Sequence, residues 1–331
     1  SIEFFSYGEE LSALQYKTAD LYGERIKMPK IGTMPSGDTS SSQSIQMAQR
    51  WIKTCNENDK CVRSKDPSLP KRLLDVRNGK VRLVCDLTTT GLYVCLSHRW
   101  GSESGPMLQT TKETISLFQN GIPWENIPRT FQDAIIFTCK LKLDYIWIDC
   151  LCIIQDSPLD WQEQSGLMAE IYRNAYITLA AAVSQGPESG LFSRGPHYHE
   201  AKETVATLTV DQFSAPVFSR NTREHDDFPL LQRGWVYQER VLSPRIIYFA
   251  HEELIWECMA GVHCECGSEW ELDARSALPA GLTTTQRGLQ KIWHSVMEQY
   301  AVLDLTFSND FLPALSGICL LYTSLSGLAR Q

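Results

Sequence analysis

The first half of the chain alternates short apolar runs with segments of helical spacing. The runs Leu92–Ser97, Tyr145–Asp149 and Tyr176–Ala182 are rich in β-branched and aromatic residues, which is typical of buried strands. The segments Thr130–Leu141 and Leu159–Arg173 repeat apolar residues every three or four positions, which predicts helices between those strands. This alternation favours a parallel sheet covered by helices, with the carboxyl ends of the strands on one rim.

Three local predictions accompany this pattern. Thr130 and Asp133 have the spacing of a capping box, so we expect them to cap the first of the two helices. On the second helix, Trp161 falls on the same predicted inner face as Met168. The basic stretch Pro70–Arg82 is predicted to be a solvated, charged loop.

The pattern changes beyond Ala182, and glycine and proline residues mark the transition at Gly186–Pro196. We therefore divide the chain into an irregular lead-in (1–45), a core of parallel sheet and helices (46–185), and an α+β subdomain packed on that core (186–331). The elements predicted for the last part are antiparallel strands at Thr204–Val210 and Pro216–Ser219, a helix at Gln232–Leu242, a hairpin of Ile246–Ala250 with Leu254–Cys258, and C-terminal helices at Thr285–Leu303 and Asp310–Leu325.

Composition narrows the class of protein. The chain has 331 residues, 43% of them hydrophobic, and a formal net charge of -8. The acidic balance argues against nucleic-acid binding, and no apolar run approaches the roughly 20 residues that span a bilayer. The first residues carry no charged-then-apolar signal segment. The 11 cysteines then favour buried free thiols in a reducing, cytoplasmic compartment.

Six blocks of sequence carry a resemblance to a known family. They occur in the order of that family and extend over most of the chain, which makes the resemblance specific. The chain closely resembles the fungal heterokaryon incompatibility (HET) domain family. The blocks are Tyr93–Gly101, Ile122–Ala134, Tyr145–Asp156, Asp160–Ala175, Arg233–Ser243 and Phe311–Gly317.

The resemblance implies a fold and a range of functions. HET domains are associated with non-self recognition and programmed cell death in filamentous fungi. Their N-terminal part is similar to the Toll/interleukin-1-receptor (TIR) fold, a flavodoxin-like parallel sheet. Some TIR domains cleave NAD at the nicotinamide–ribose bond with a helical glutamate, and related fungal chains lie in natural-product gene clusters.

One position departs from the catalytic pattern that the resemblance implies. The TIR-type pattern is Trp-x-x-Glu on the helix after the central strand, and here Trp161 is followed by Gln164. Glutamine cannot supply the negative charge that stabilises an oxocarbenium-like transition state. Glu163 lies about 100° around the helix and faces elsewhere. This departure argues against NAD hydrolysis, with NAD as a substrate rather than a resident cofactor.

Three polar residues are the candidate catalytic groups. His98 follows a predicted strand and is either a general acid or base or a loop hydrogen-bonding residue. Asp149 contacts a ligand or catalytic partner at the rim, or caps the following loop. Glu239 either supplies the charge that Gln164 lacks or belongs to a buried Arg–Glu network that holds the second subdomain. The candidate ligand-binding residues are Arg99, Trp100, Cys152, Gln155, Trp161, Gln164, Arg233 and Trp235.

Cysteine chemistry gives weaker signals. Cys152 is either a buried structural thiol or a nucleophile paired with His98. A second group crowds into nine residues and has the ligand types of a zinc site, but its spacing matches no usual finger. We therefore expect no metal site, and no resident cofactor is evident. That second group consists of Cys258, His263, Cys264 and Cys266.

Two functions remain open at this point. One is a HET-type effector with a small-molecule site at the strand ends, working with protein partners or by self-association. The other is a stand-alone enzyme on the same scaffold, which catalyses cyclisation or dehydration in natural-product biosynthesis, or cleaves NAD. An enzyme requires His98, Asp149 and Glu239 to converge on one cleft, whereas an interaction module does not.

Overall fold

The computed structural model describes residues 2–6, 31–33, 35–58, 61, 67–101, 107–195, 204–210, 213–221, 228–267 and 286–319. Within these ranges two sheets and several helices form an α/β fold. The strands, in chain order, are β1 Ile2–Ser6, β2 Ile31–Thr33, β3 Arg72–Asp75, β4 Arg82–Cys85, β5 Val94–Ser97, β6 Tyr145–Trp147, β7 Ile177–Ala180, β8 Thr204–Val210, β9 Phe213–Asn221, β10 Arg245–Phe249, β11 Leu254–Cys258 and β12 Gly261–Cys264. The helices are α1 Ser42–Asn56, α2 Ile115–Asn120, α3 Arg129–Lys140, α4 Asp149–Cys152, α5 Pro158–Asn174, α6 Gly234–Leu242 and α7 Gln286–Tyr300, and residues 313–319 are also helical.

Four parallel strands form the centre of the larger sheet, in the order β6, β5, β7, β10. Val94 of β5 pairs with Ile146 on one side and Ile177 on the other, and all three side chains are fully buried. Runs of buried β-branched residues are what a sheet covered on both faces requires. The predicted parallel arrangement of the first three strands is therefore confirmed.

Antiparallel strands extend this sheet at both edges. The hairpin of β3 and β4 joins β6, and β11 and β12 continue from β10, which gives eight strands in mixed orientation. The predicted hairpin of β10 and β11 is confirmed, but β10 pairs in parallel with β7 of the core. The sheet thus crosses the division between 46–185 and 186–331. That division and the TIR-like, flavodoxin-like character of the core stay predictions.

The basic stretch Pro70–Arg82 is not a solvated loop, and that prediction is wrong. It contains β3, whose Leu73 and Leu74 are fully buried. Arg72 is 4% exposed and donates hydrogen bonds to the Asp160 carboxylate at 2.5 Å and to a backbone carbonyl at 2.6 Å. A buried guanidinium is tolerated because a carboxylate and a carbonyl compensate its lost hydration.

Two helix predictions need correction. The helix α3 begins at Arg129, and Thr130 donates to the Gly186 carbonyl at 3.0 Å instead of capping the helix. Asp133 accepts the backbone N–H of Leu191 at 3.0 Å, so both side chains fasten the segment after β7. On α5, Trp161 is 37% exposed and does not share the inner face.

The second sheet has the order β2, β1, β9, β8. The predicted antiparallel pairing of β8 is confirmed, with β9 as its partner. Part of the lead-in is not irregular, because β1 pairs with β9 and β2. Within the described ranges, no helix combines the length and the apolar character that a membrane crossing demands.

Candidate functional site

The carboxyl ends of β5 and β6 bring together a group of polar side chains that we call the strand-end cluster. His98 Nδ1 lies 3.7 Å from Asp149 Oδ1, and Arg233 donates from Nη1 to the His98 carbonyl at 3.1 Å. Glu239 is close enough to Asp149 and Arg233 for their charges to affect its ionisation. The three candidate catalytic residues therefore converge. The strand-end cluster consists of Ser97, His98, Asp149, Tyr172, Arg233 and Glu239.

Four elements position this cluster. β5 ends at Ser97, and Gly101 then adopts a φ of +67° with its Cα hydrogen facing Pro187, where a Cβ would approach to 3.0 Å. A glycine permits this left-handed turn and close approach. Asp149 begins the short helix α4 instead of ending β6, which corrects the predicted strand limit. The helix α6 packs against α5 and carries Glu239 to the same place.

Asp149 is held by hydrogen bonds on both of its oxygens. The Trp100 indole donates to Oδ2 at 2.6 Å, and the Cys150 backbone N–H donates to Oδ1 at 2.7 Å. The Gln155 side chain donates to the Asp149 carbonyl at 3.1 Å, which supports the turn, and its role in binding a ligand stays a prediction. The Asp149 carboxyl remains 20% exposed and can therefore contact a ligand.

His98 is a neutral imidazole in a buried setting. The residue is 5% exposed, and its ring meets Phe131 edge to face at 4.9 Å. Burial lowers the pKa of His98, Asp149 partly opposes this effect, and the Arg233 charge adds to it. The 3.7 Å approach to Asp149 is consequently not an ion pair near neutral pH.

Glu239 is the buried carboxyl of the cluster. It is 6% exposed, and burial raises its pKa to about 7. The Asp149 charge raises this pKa further, whereas Arg233 and the hydroxyls of Ser97 and Tyr172 oppose the rise. A carboxyl with a pKa near neutrality suits proton transfer.

Several buried polar atoms at this place make no hydrogen bond of ordinary geometry with any described residue. These atoms are Ser97 Oγ, His98 Nε2, Gln164 Nε2 and Glu239 Oε2. Each such atom costs about 1–3 kcal/mol of stability. Those of Ser97, His98 and Glu239 belong to the strand-end cluster, where a ligand or substrate could satisfy them.

The remaining predicted ligand-binding residues lie elsewhere. Arg99 donates to Gln185 Oε1 at 3.2 Å on the surface, and the Trp235 indole donates to Asp310 at 3.0 Å. Trp161 is exposed, as noted for α5. The structure therefore assembles His98, Trp100, Asp149, Gln155, Arg233 and Glu239, with Gln164 buried on the adjoining helix α5.

Cysteine reactivity at the cluster is low. Cys150 and Cys152 lie in one helical turn and not on one side of an extended segment. The Cys150 thiol lies within 4.8 Å of ligand atoms of His98 and Asp149. These three residues have the ligand types of a metal site. Burial raises the pKa of both thiols, that of Cys152 to about 12. The Asp149 oxygens already accept N–H hydrogen bonds from Trp100 and from the Cys150 backbone, so we assign no metal to this trio.

Sequence reasoning missed the hydroxyls of the cluster. Ser97 and Tyr172 lie within blocks that resemble the family, but an apolar neighbourhood made both look like core positions. The Tyr172 hydroxyl donates to the Leu96 carbonyl at 3.2 Å, in the strand that leads to His98. A polar side chain at the last position of a buried strand was the available signal for Ser97.

The crowded group near the C-terminal hairpin does not form one metal site. His263 is exposed on β12, whereas Cys264 and Cys266 are joined by a disulfide. Cys258 pairs with Gly261 at the far end of the hairpin, away from Cys264, which pairs with Ile255. The expectation of free thiols is wrong for the disulfide pair, and six of the nine free cysteines are buried.

Comparison with known proteins finds one family model that matches part of the chain. Residues 93–239 match the family model described as Heterokaryon incompatibility protein (HET), and this range contains every member of the strand-end cluster. The search of curated proteins and the search of solved structures find no match. The region from β5 to the middle of α6 is therefore similar to the HET family.

Proposed function

We propose that this protein is an effector of the incompatibility type that acts through an acid–base reaction on a small molecule at the strand-end cluster. The observation that carries the proposal is the convergence of Glu239 with His98 and Asp149. These residues are distant in sequence, and a pure interaction module has no need to bury them together.

The reaction class that fits best is hydrolysis of an N-glycosidic bond in a nucleotide such as NAD. Two carboxyls in unlike environments are the recurring equipment for this chemistry. Asp149, partly exposed and fixed by Trp100, stabilises the positive charge that develops on the ribose. Glu239, with its pKa of about 7, accepts a proton from the attacking water.

The bond from the ribose C1′ to the nicotinamide nitrogen breaks, and its electron pair stays on the nicotinamide. The water oxygen bonds to C1′, and its proton passes to Glu239. His98 is neutral, so its Nε2, which makes no hydrogen bond with the described residues, is available to orient a ribose hydroxyl. In this proposal Asp149 supplies the charge that Gln164 lacks, and Glu239 is the general base.

The proposal is tested by incubating purified protein with NAD and measuring nicotinamide release. Glu239→Gln is expected to lower the rate about 100-fold, since it removes the base and keeps the shape. The matched control is Glu163→Gln, because Glu163 sits on the surface of α5 in an ion pair with Lys71 at 2.9 Å. An unaffected Glu239→Gln, or a wild-type protein that releases no nicotinamide, would overturn nucleotide hydrolysis.

The effector role is tested separately by inducible expression in a fungal host. Growth arrest is expected for the wild type and for Glu163→Gln, but not for Glu239→Gln. Arrest that persists in Glu239→Gln at equal protein level would show that the effector role does not depend on this site. The cyclisation or dehydration alternative needs similar acid–base groups, and no observed feature favours it.

A further inference from the structure

Three cysteines from distant parts of the chain meet at the edge of the large sheet, and we call them the thiol cluster. Cys55 lies in the last turn of α1, Cys61 follows it closely, and Cys258 ends β11. All three are at most 7% exposed, and their sulfur atoms lie within 4.8 Å of one another. None belongs to the matched range 93–239, so this cluster is distinct from the strand-end cluster.

A buried cation lies directly beside these thiols. Arg245 is 2% exposed and pairs across the hairpin with Cys258. Its Nε donates to Cys55 Sγ at 3.3 Å, and its Nη2 donates to the Asn56 side-chain oxygen at 2.6 Å. The guanidinium also lies 5.1 Å from the centroid of the Tyr176 ring.

Arg245 has no carboxylate partner among the described residues, and its Nη1 makes no hydrogen bond there. A buried guanidinium is strongly destabilising unless a negative charge compensates it. The groups at hand that can become negative are the thiols. The arrangement therefore calls for at least one thiolate, and thiolate is the form of cysteine that binds metals.

Contacts within the trio favour the same conclusion. The three sulfur atoms lie within 4.8 Å of one another, and Arg245 donates to one of them at 3.3 Å. Three thiols so close together otherwise either remain protonated, which leaves Arg245 without a counter-charge, or oxidise in pairs. A cation that binds all three sulfurs removes both difficulties.

We propose that Cys55, Cys61 and Cys258 bind a single zinc ion as three thiolates. Three thiolates and Zn²⁺ sum to one negative charge, which the Arg245 guanidinium neutralises. Zinc–sulfur bonds of about 2.3 Å place tetrahedral ligands about 3.8 Å apart, which lies within the observed 4.8 Å limit. Three protein ligands leave the fourth position to water or to an added small ligand.

The site has a structural consequence. It ties the end of α1 to β11, at the side of the sheet where Trp51 of α1 and Trp256 of β11 lie 6.2 Å apart between ring centroids. The metal thus connects segments separated by about 200 positions in sequence, and a structural zinc site adds directly to folding free energy.

The experiment measures zinc in the full chain, purified under reducing conditions without chelator and then dialysed against zinc. About one zinc per chain is expected in the wild type, and Cys258→Ser is expected to lower zinc affinity at least about tenfold. The matched control is Cys139→Ser, because Cys139 is an exposed free cysteine outside the cluster. Zinc retained by Cys258→Ser, or absent from the wild type, overturns the proposal.

A second measurement keeps the test valid if Cys258→Ser does not fold. Wild-type protein loaded with Co²⁺ is expected to show thiolate-to-cobalt charge-transfer absorption in the near ultraviolet, and added zinc is expected to abolish it. Peptide mass spectrometry of the wild type, after alkylation, then distinguishes metal from disulfide. A disulfide between any two of the three cysteines, or cobalt spectra without thiolate bands, contradicts the site.

Discussion

Two neighbouring residues of α6, Glu239 and Arg240, contact different parts of the molecule. Glu239 enters the strand-end cluster, where its Oε2 makes no hydrogen bond with the described residues. Arg240 turns to the other side and contacts Glu257 of β11 at 3.2 Å, 5.9 Å from the centroid of the Tyr248 ring. The Tyr248 hydroxyl donates to the same Glu257 carboxylate. We call Arg240, Tyr248 and Glu257 the hairpin network.

The different surroundings of two buried carboxyls, Glu239 and Glu257, indicate that one has a functional role and the other a structural role. Glu239 and Glu257 are both almost fully buried, at 6% and 1% exposed. Glu257 forms an ion pair with Arg240 at 3.2 Å, whereas Glu239 forms no ion pair with a described residue and has the Ser97 and Tyr172 hydroxyls and the Arg233 charge nearby. The buried Arg–Glu network considered for Glu239 does exist, but it is formed by Arg240 with Glu257. Removing the carboxylate of a buried ion pair is strongly destabilising, whereas a buried carboxyl outside an ion pair lowers stability and remains available for chemistry.

The largest expected effect comes from breaking the hairpin network. Glu257→Gln leaves the Arg240 charge buried without its carboxylate, and we expect a loss of about 3–5 kcal/mol in the free energy of unfolding. Urea denaturation measures this loss. The same-size change Glu239→Gln is the control, and equal losses in the two variants would refute the contrast between the carboxyls.

The second effect concerns activity rather than stability. Glu239→Gln is expected to reduce nicotinamide release about 100-fold while the free energy of unfolding at neutral pH stays equal or rises. A group whose loss stabilises the protein is held there for function. Loss of activity together with several kcal/mol of stability would instead place Glu239 among the structural carboxyls.

A third effect is the dependence of stability on pH. The pKa of Glu239 rises from 4.5 to about 7 on folding, so between these values the native state holds a proton that the unfolded state has lost. The free energy of unfolding contributed by Glu239 therefore falls as pH increases through this window, by roughly 3 kcal/mol. Above about pH 7 the contribution is constant.

Other groups modify this slope, so the measurement compares variants. Burial raises the pKa of Glu265 to about 7 as well, which adds a slope of the same sign. The lowered pKa of His98 gives the opposite sign below 6.5. The groups that face position 239 are Asp149, Arg233 and Tyr172. The wild type and Glu239→Gln share them. Urea titrations from pH 4 to pH 8 are expected to show a shallower fall in Glu239→Gln; identical curves would contradict the assignment.

The smallest effect tests how Asp149 is positioned. Trp100→Phe removes the 2.6 Å hydrogen bond to Oδ2, and we expect about a tenfold lower rate constant for nicotinamide release with a smaller change in KM. Trp161→Phe is the matched control, because that side chain is 37% exposed. A tenfold loss in the control as well would assign the effect to general disturbance of the fold.

The local pattern of hydrophobic and polar residues predicted the strands and helices that depend mainly on residues close in sequence. Runs of apolar residues predicted β5 to β7, and helical spacing predicted α3 and α5. The positions of polar residues after strand ends made His98 and Asp149 candidates for the site. The basic stretch failed because its charges hid two fully buried leucines, and the partner of Arg72, Asp160, lies on a distant helix.

Long-range proximity could not be predicted. Nothing in the spacing of Glu239 and Glu257 distinguishes the unpaired from the paired carboxyl, because the difference arises when α6 is placed between α5 and the hairpin. The same holds for Cys258, whose nearest cysteines in sequence lie at 264 and 266 but whose neighbours in space are Cys55 and Cys61. The register of the sheet determines which cysteines lie next to Cys258 in space.

The strand order of the large sheet has a consequence for excised domains. A fragment limited to residues 93–239 keeps β6, β5 and β7 but lacks β3 on one side and β10 on the other. Both outer strands of such a fragment would present rows of unpaired backbone N–H and C=O groups, which template edge-to-edge aggregation. During synthesis the same open edge on β7 persists until residues 245–249 have been made. The matched range 93–239 therefore cuts through the large sheet, and we expect a fragment with these limits to aggregate.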